Sequence, residues 1–225
     1  VAANLRIRLE NASRGTSWQM VAIARCLIPL VLIAAWARWD GIKLVVLNSP
    51  TLWMRSIAGS CSLVGTFFAL SFMAPTEIFT ITNTFPIWVA LLSWPMLGRF
   101  PSGAVWLSIL SSVVGVALIQ GAEISAGNLG VLIVVGVAML SAGAMMGLNR
   151  LKHLDPRTVV VHFSATALVA AVVSCFLFGG GIQPETFQWT HAAELLGVGV
   201  SASIGQYFLT RAFTAGEPAR VSVAS

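Results

Sequence analysis

Long apolar runs separated by brief polar breaks dominate this chain from end to end. About 20 apolar residues cross roughly 30 Å of hydrocarbon, and seven runs reach that length: 18–37, 56–74, 78–97, 103–121, 129–148, 158–178 and 192–213. Breaks such as Pro75-Thr76-Glu77 and Gly98-Arg99-Phe100-Pro101-Ser102 are too short to hold separate domains, so an all-α bundle of membrane-spanning helices is predicted. A membrane β-barrel would instead show segments of about ten residues with period-2 alternation. The opening residues Val1-Ala2-Ala3-Asn4-Leu5-Arg6-Ile7-Arg8 resemble the end of a helix rather than a signal peptide, since no apolar core follows within them. A further apolar run opens at Val221.

The pattern repeats. The stretch from Gly65 to Glu77 has a counterpart 140 positions later, from Gly205 to Glu217, and between 59 and 77 this offset gives four identities: Gly59/Gly199, Gly65/Gly205, Phe68/Phe208 and Glu77/Glu217. At the same offset the run 18–37 falls without a gap on 158–177, the turn at Gly41 on Gly181, and 56–74 on 196–214. An odd number of crossings per copy inverts the second copy relative to the first, as in secondary transporters. The offset therefore predicts two inverted five-helix repeats, 1–121 and 122–225. The chain is then a piece of a ten-helix protein, with about seven complete helices, a truncated first helix and the start of a ninth.

Composition changes the solvent rather than the fold. With 57% hydrophobic and 9% charged residues and mean hydropathy +0.86, there are too few polar side chains to cover a water-soluble globule. The net charge of +5 comes from basic residues between the apolar runs, not from one helix face, which argues for a membrane with a cytoplasmic side and against nucleic acid. Alternating the loops puts Arg38, Lys43, Arg55, Arg99, Arg150, Lys152, Arg157, Arg211 and Arg220 on one face, and only Arg6, Arg8 and Arg14 on the other. The first face, including the loop 150–157, is expected to be cytoplasmic. Cys26, Cys61 and Cys175 show no metal-ligand or disulfide spacing and read as packing residues.

Ile81-Thr82-Asn83-Thr84-Phe85-Pro86-Ile87-Trp88-Val89-Ala90-Leu91-Leu92, then Leu97-Gly98-Arg99-Phe100-Pro101-Ser102 and Gly115-Val116-Ala117-Leu118-Ile119, resemble an EamA-type repeat of the drug/metabolite transporter superfamily. The run from Arg211 to Arg220 resembles the matching junction of the second repeat. The resemblance implies a ten-helix exporter or exchanger with a central cavity. Members carry amino acids, nucleosides, nucleotide-linked sugars, cofactors or drugs. The family usually has Glu where Arg99 stands.

Polar residues deep in apolar runs are the candidate cargo contacts. Arg25 lies inside its run at a cost of at least about 2.5 kcal/mol on insertion scales, and Pro29 frees its carbonyl. It either faces a wet cavity or snorkels to an interface. Asn83 and Pro86 interrupt the run 78–97, where Pro86 frees the Thr82 carbonyl and predicts a kink. The bland reading there is packing along the stripe Thr76, Thr80 and Thr84. Gln206 and Tyr207 correspond to Thr66 and Phe67 at mid-run, and they either hold a solute or bridge helices. His162 reads as a packed residue more readily than a proton relay. The predicted substrate-binding set is Arg25, Thr66, Asn83, Gln206 and Tyr207.

No HExxH, GxSxG or paired carboxylate within an apolar run supports an enzyme, and neither a cofactor nor a metal is expected. The reading is a multi-pass protein of the cell membrane, plasma or inner, that exports or exchanges a small metabolite or drug-like solute by alternating access. A non-transporting structural or receptor-like membrane protein is the alternative. Expected partners are the small-molecule substrate and the lipid bilayer. A monomer and a homodimer fit equally well.

Overall fold

The computed structural model describes residues 18–44, 49–98, 101–120, 128–178 and 189–224. Their regular structure is entirely helical: α1 (Trp18–Trp39), α2 (Pro50–Ala69), α3 (Pro75–Thr82), α4 (Phe85–Leu97), α5 (Gly103–Gln120), α6 (Asn128–Arg150), α7 (Pro156–Phe178), α8 (Trp189–Ala215) and α9 (Pro218–Ala224). The predicted first-helix remnant at 1–8, the basic residues Arg6, Arg8, Arg14 and Arg99, and the turn at Gly181 lie outside the described residues.

Local chemistry sets the helix ends. Pro50, Pro75, Pro156 and Pro218 each open a helix, where the missing N–H costs nothing and the fixed φ already suits the first turn. Asp155 caps α7 by accepting from the Arg157 N–H at 2.8 Å. Glu77 Oε2 accepts from the Ala74 N–H at 3.0 Å at the start of α3. At the end of α1, Gly41 takes φ +70° and Ile42 N donates to Ala37 O at 2.9 Å, closing the helix with a left-handed cap.

Two expectations are corrected. The run 78–97 is not one kinked helix: α3 stops at Thr82, the chain turns through Asn83 and Thr84, and α4 begins at Phe85. Pro86 sits in the first turn of α4, so the lost hydrogen bond ends one helix and starts another instead of bending it. The second run starts at Pro50 rather than 56 and ends at Ala69, which draws Arg55 out of the predicted loop and into α2. By length and apolarity, α1, residues 130–150 of α6 and residues 156–177 of α7 each suffice to cross a membrane. The helices α2 and α8 are long but more polar. They carry Ser56, Ser60, Ser62 and Thr66, and Ser203, Gln206 and Thr210, which belong in a bundle interior.

Packing follows the small residues. Cys26 of α1 packs with Phe163 and Ala167 of α7, and farther along the same pair the Arg157 guanidinium lies 4.4 Å from the Trp36 ring. Rising number on one helix meets falling number on the other, so α1 and α7 are antiparallel. The contacts Ser62–Ser141 (2.5 Å between Oγ atoms) and Gly65–Val137 make α2 and α6 antiparallel as well. Large apolar side chains such as Leu118 and Phe176 are 78% and 84% exposed, whereas the interior is rich in Ala and Ser. That inversion of the usual globular pattern is what a lipid solvent allows, because small residues let helices approach where lipid supplies no hydrophobic drive to associate.

Candidate functional site

A cavity of ≈ 360 Å³ lies among six helices, lined by Arg25 of α1, Arg55, Ser62 and Thr66 of α2, Phe163 of α7 and Gln206 of α8, with further residues of α3 and α6. Three of the five predicted substrate contacts, Arg25, Thr66 and Gln206, therefore meet at one place. Thr66 Oγ1 donates to the Ser62 carbonyl at 2.9 Å, which leaves its lone pairs toward neighbours. The buried Oε1 of Gln206 has no hydrogen-bond partner. Arg25 and Gln206 also border a wider recess beside Gly197, Ser201 and Gly205.

The other two predicted contacts lie elsewhere. Asn83 is half-buried in the turn between α3 and α4, with its N–H on the Phe79 carbonyl at 2.9 Å. Tyr207 packs its ring 5.1 Å from Trp36 and 5.5 Å from Phe208. Trp36 in turn carries the Arg157 guanidinium, which is paired with Asp40. The result is a cation–aromatic stack that joins the end of α1 and the start of α7 to the body of α8.

Arg55 is the residue that sequence reasoning missed. Its side chain is 1% exposed, its guanidinium carbon stands 4.1 Å from the centre of the Phe163 ring, and Nε and Nη1 are buried without hydrogen-bond partners. Two glycines make its room. A Cβ on Gly59 would come within 3.0 Å of Arg55 Nη1, and one on Gly147 within 3.1 Å of Arg55 Cβ. A buried cation with two unpartnered nitrogens keeps an unmet desolvation cost of several kcal/mol, and the ring returns about 2 kcal/mol. The available signal was Pro50, which marks a helix start six residues before the expected one.

His162 is packed, as the bland reading expected. It is 5% exposed, its Nδ1 is 2.7 Å from Ser56 Oγ, and its ring meets Trp53 edge-on at 4.7 Å. Among the described residues no cluster of His, Cys, Asp or Glu could hold a metal ion.

This chain is 30% identical over 212 residues to the pseudopaline exporter CntI of Pseudomonas aeruginosa, in strains UCBPP-PA14 and PAO1, covering 92% of this chain and 72% of the relative. The chain belongs to the family of that exporter. No protein-family model matches it. A solved structure described only as "Crystal structure of protein" superposes with TM-score 0.79 over 97% of this chain and 79% of its own, at 18% identity, which speaks to fold alone. Membership of this exporter family, together with several membrane-length apolar helices, makes the chain an integral multi-pass membrane transport protein. The named relatives are exporters.

Proposed function

We propose that this protein is an EamA-type exporter of the drug/metabolite transporter superfamily that moves a small metabolite outward by alternating access around the central cavity. The single observation that carries this reading is the convergence of Arg25, Thr66 and Gln206, from three different helices, on one cavity in a chain related to an exporter. Asn83 and Tyr207 stay in the proposed set as residues that act when the cavity changes shape. The first lies in a helix break and the second in the aromatic stack with Trp36.

The proposed architecture is a pair of inverted repeats, 1–121 and 122–225. Two details support it. The repeat-related helices α1 and α7 run antiparallel. The repeat-related glycines Gly59 and Gly199 each admit a side chain from the opposite half, Phe163 of α7 and Ile28 of α1 respectively. An exchange of partners of this kind is what a two-fold axis in the membrane plane produces.

Pseudopaline is the first cargo to test. Cells that make pseudopaline but lack their own exporter should regain extracellular pseudopaline when the full-length protein is expressed. The pair Asn83→Ala and Gln206→Ala should reduce that recovery. Unchanged export in both variants would remove these residues from the site. Absence of flux for any metabolite, in cells and in proteoliposomes, would favour the structural or receptor-like alternative.

A further inference from the structure

We infer that the central cavity is a receptor for an oxyanion, the carboxylate or phosphate of a small solute, with Arg55 as its principal anchor and Arg25 as a second cation. The inference rests on the transporter reading for its physiological use and on the cavity itself for its chemistry.

The cavity is lined by two guanidinium groups and by no carboxylate among the described residues. The described ion pairs lie elsewhere, at Arg157 with Asp40 and Asp155, and at Arg220 with Glu217. Among the described residues neither cavity arginine has a salt bridge. For Arg55 the point is stronger, because Nε and Nη1 are buried, donate to nothing, and belong to a side chain 1% exposed. Buried charges are retained when paired or hydrogen-bonded, and the Phe163 ring, 4.1 Å from the guanidinium carbon, supplies a face but accepts no N–H in its plane. A guanidinium presents a planar fork of donors that matches the two oxygens of a carboxylate or phosphate.

The packing holds this fork still. Gly59 on its own helix and Gly147 on α6 leave room for the side chain and little more, so the group is positioned before any ligand arrives. Such preorganisation lowers the ordering cost of binding. Beside it, Gln206 adds an amide with a buried and unpartnered oxygen, an acceptor for an N–H or O–H elsewhere on the solute. The pair of features fits a solute that carries an oxyanion and a hydrogen-bond donor together.

The test uses the full-length protein in proteoliposomes loaded with a low-mass cell extract, with mass spectrometry of the solutes lost relative to protein-free vesicles. The solutes lost should carry carboxylate or phosphate. Arg55→Gln should slow their loss about tenfold or more, the effect expected for removing one partner of a buried charge pair, and Arg55→Lys should retain part of the rate. Loss confined to solutes without an anionic group, or wild-type rates in Arg55→Gln, would overturn the inference.

If no solute is lost, the transport reading fails, and the anion site is decided by binding. The melting temperature of the detergent-solubilised protein is then measured with glutamate, citrate or inorganic phosphate against chloride at equal ionic strength. Stabilisation of the wild type and not of Arg55→Gln supports the site, and the responding anion separates carboxylate from phosphate. No stabilisation by any of the three overturns it. Arg55→Met, melted without added anion, serves as the folding control. A receptor arginine predicts an unchanged or higher melting temperature, whereas a marked fall, or failure of both Met and Gln variants to fold, would assign Arg55 to the scaffold and overturn the inference.

Discussion

Gly199 occupies a position with no room for an ordinary side chain: a Cβ there would lie 2.3 Å from Ile28 Cδ1 and 2.5 Å from Ile28 Cβ. Gly199→Ala should therefore destabilise the bundle by about 1–3 kcal/mol, the usual cost of overpacking, read as a fall in melting temperature. Gly205→Ala is the control, because nothing lies within 4 Å of a Cβ at that position. Asn149 is a second sensitive residue. Its Nδ2 donates to the carbonyls of Gly216 at 3.0 Å and Phe213 at 3.4 Å, tying the end of α6 to the end of α8. Asn149→Ala should cost about 1–3 kcal/mol, visible in the same melt. In the sequence Gly199 and Gly205 stood out only as identities of the 140-residue offset, and which of the two is tightly packed could not be read there. Arg55 was not legible either, since a charge near the start of an apolar run looks like a loop residue until the helix start is known. Burial is a property of three helices together, and no single segment carries it.

Between α3 and α4 the chain makes two short hydrogen-bonded turns, Thr84 N to Ile81 O at 3.0 Å and Ile87 N to Thr84 O at 2.9 Å. Thr82 Oγ1 donates to Ile78 O at 2.9 Å and Thr84 Oγ1 to Ile81 O at 2.6 Å, so the backbone oxygens before the break are served by neighbouring side chains. Pro86→Ala restores a donor to the Thr82 carbonyl and favours one continuous helix. It should raise stability by about 1 kcal/mol and slow transport, measured as melting temperature alongside vesicle flux. A variant that melts higher and still transports at the wild-type rate would separate the break from function. Hydropathy located this region and its proline but gave a kink in place of a break, because apolarity is blind to where the backbone turns. The same blindness set the start of α2 too late. The polar character of α2 and α8 was visible residue by residue, yet its meaning emerged only when both were found to face one cavity.

For the whole molecule, sidedness is the property most open to measurement. The loop 150–157 joins α6 to α7 beside the Asp40–Arg157 pair, and the excess of basic residues there predicts a cytoplasmic position. A cysteine introduced as His153→Cys should react with a membrane-impermeant thiol reagent in inside-out vesicles and resist it in intact cells; labelling of intact cells would reverse the topology. The Asp40–Arg157 pair itself is partly exposed, so Asp40→Asn should cost no more than about 1 kcal/mol. All-α architecture and membrane residence were legible from run length and composition alone. The two-fold relation, expected in the sequence from an odd number of crossings per copy, stays a proposal, with the antiparallel run of α1 and α7 in its support.

A cavity holding two fixed positive charges and lined by no carboxylate among the described residues also bears on driving force. An anion carried outward across an inside-negative membrane moves down the electrical field, gaining about 2.3 kcal/mol per elementary charge per 100 mV. That is roughly a fiftyfold concentration ratio, available without a proton relay or a co-transported ion. Export of an anionic cargo should then rise and fall with an imposed potassium diffusion potential, and the membrane voltage alone would serve as the engine.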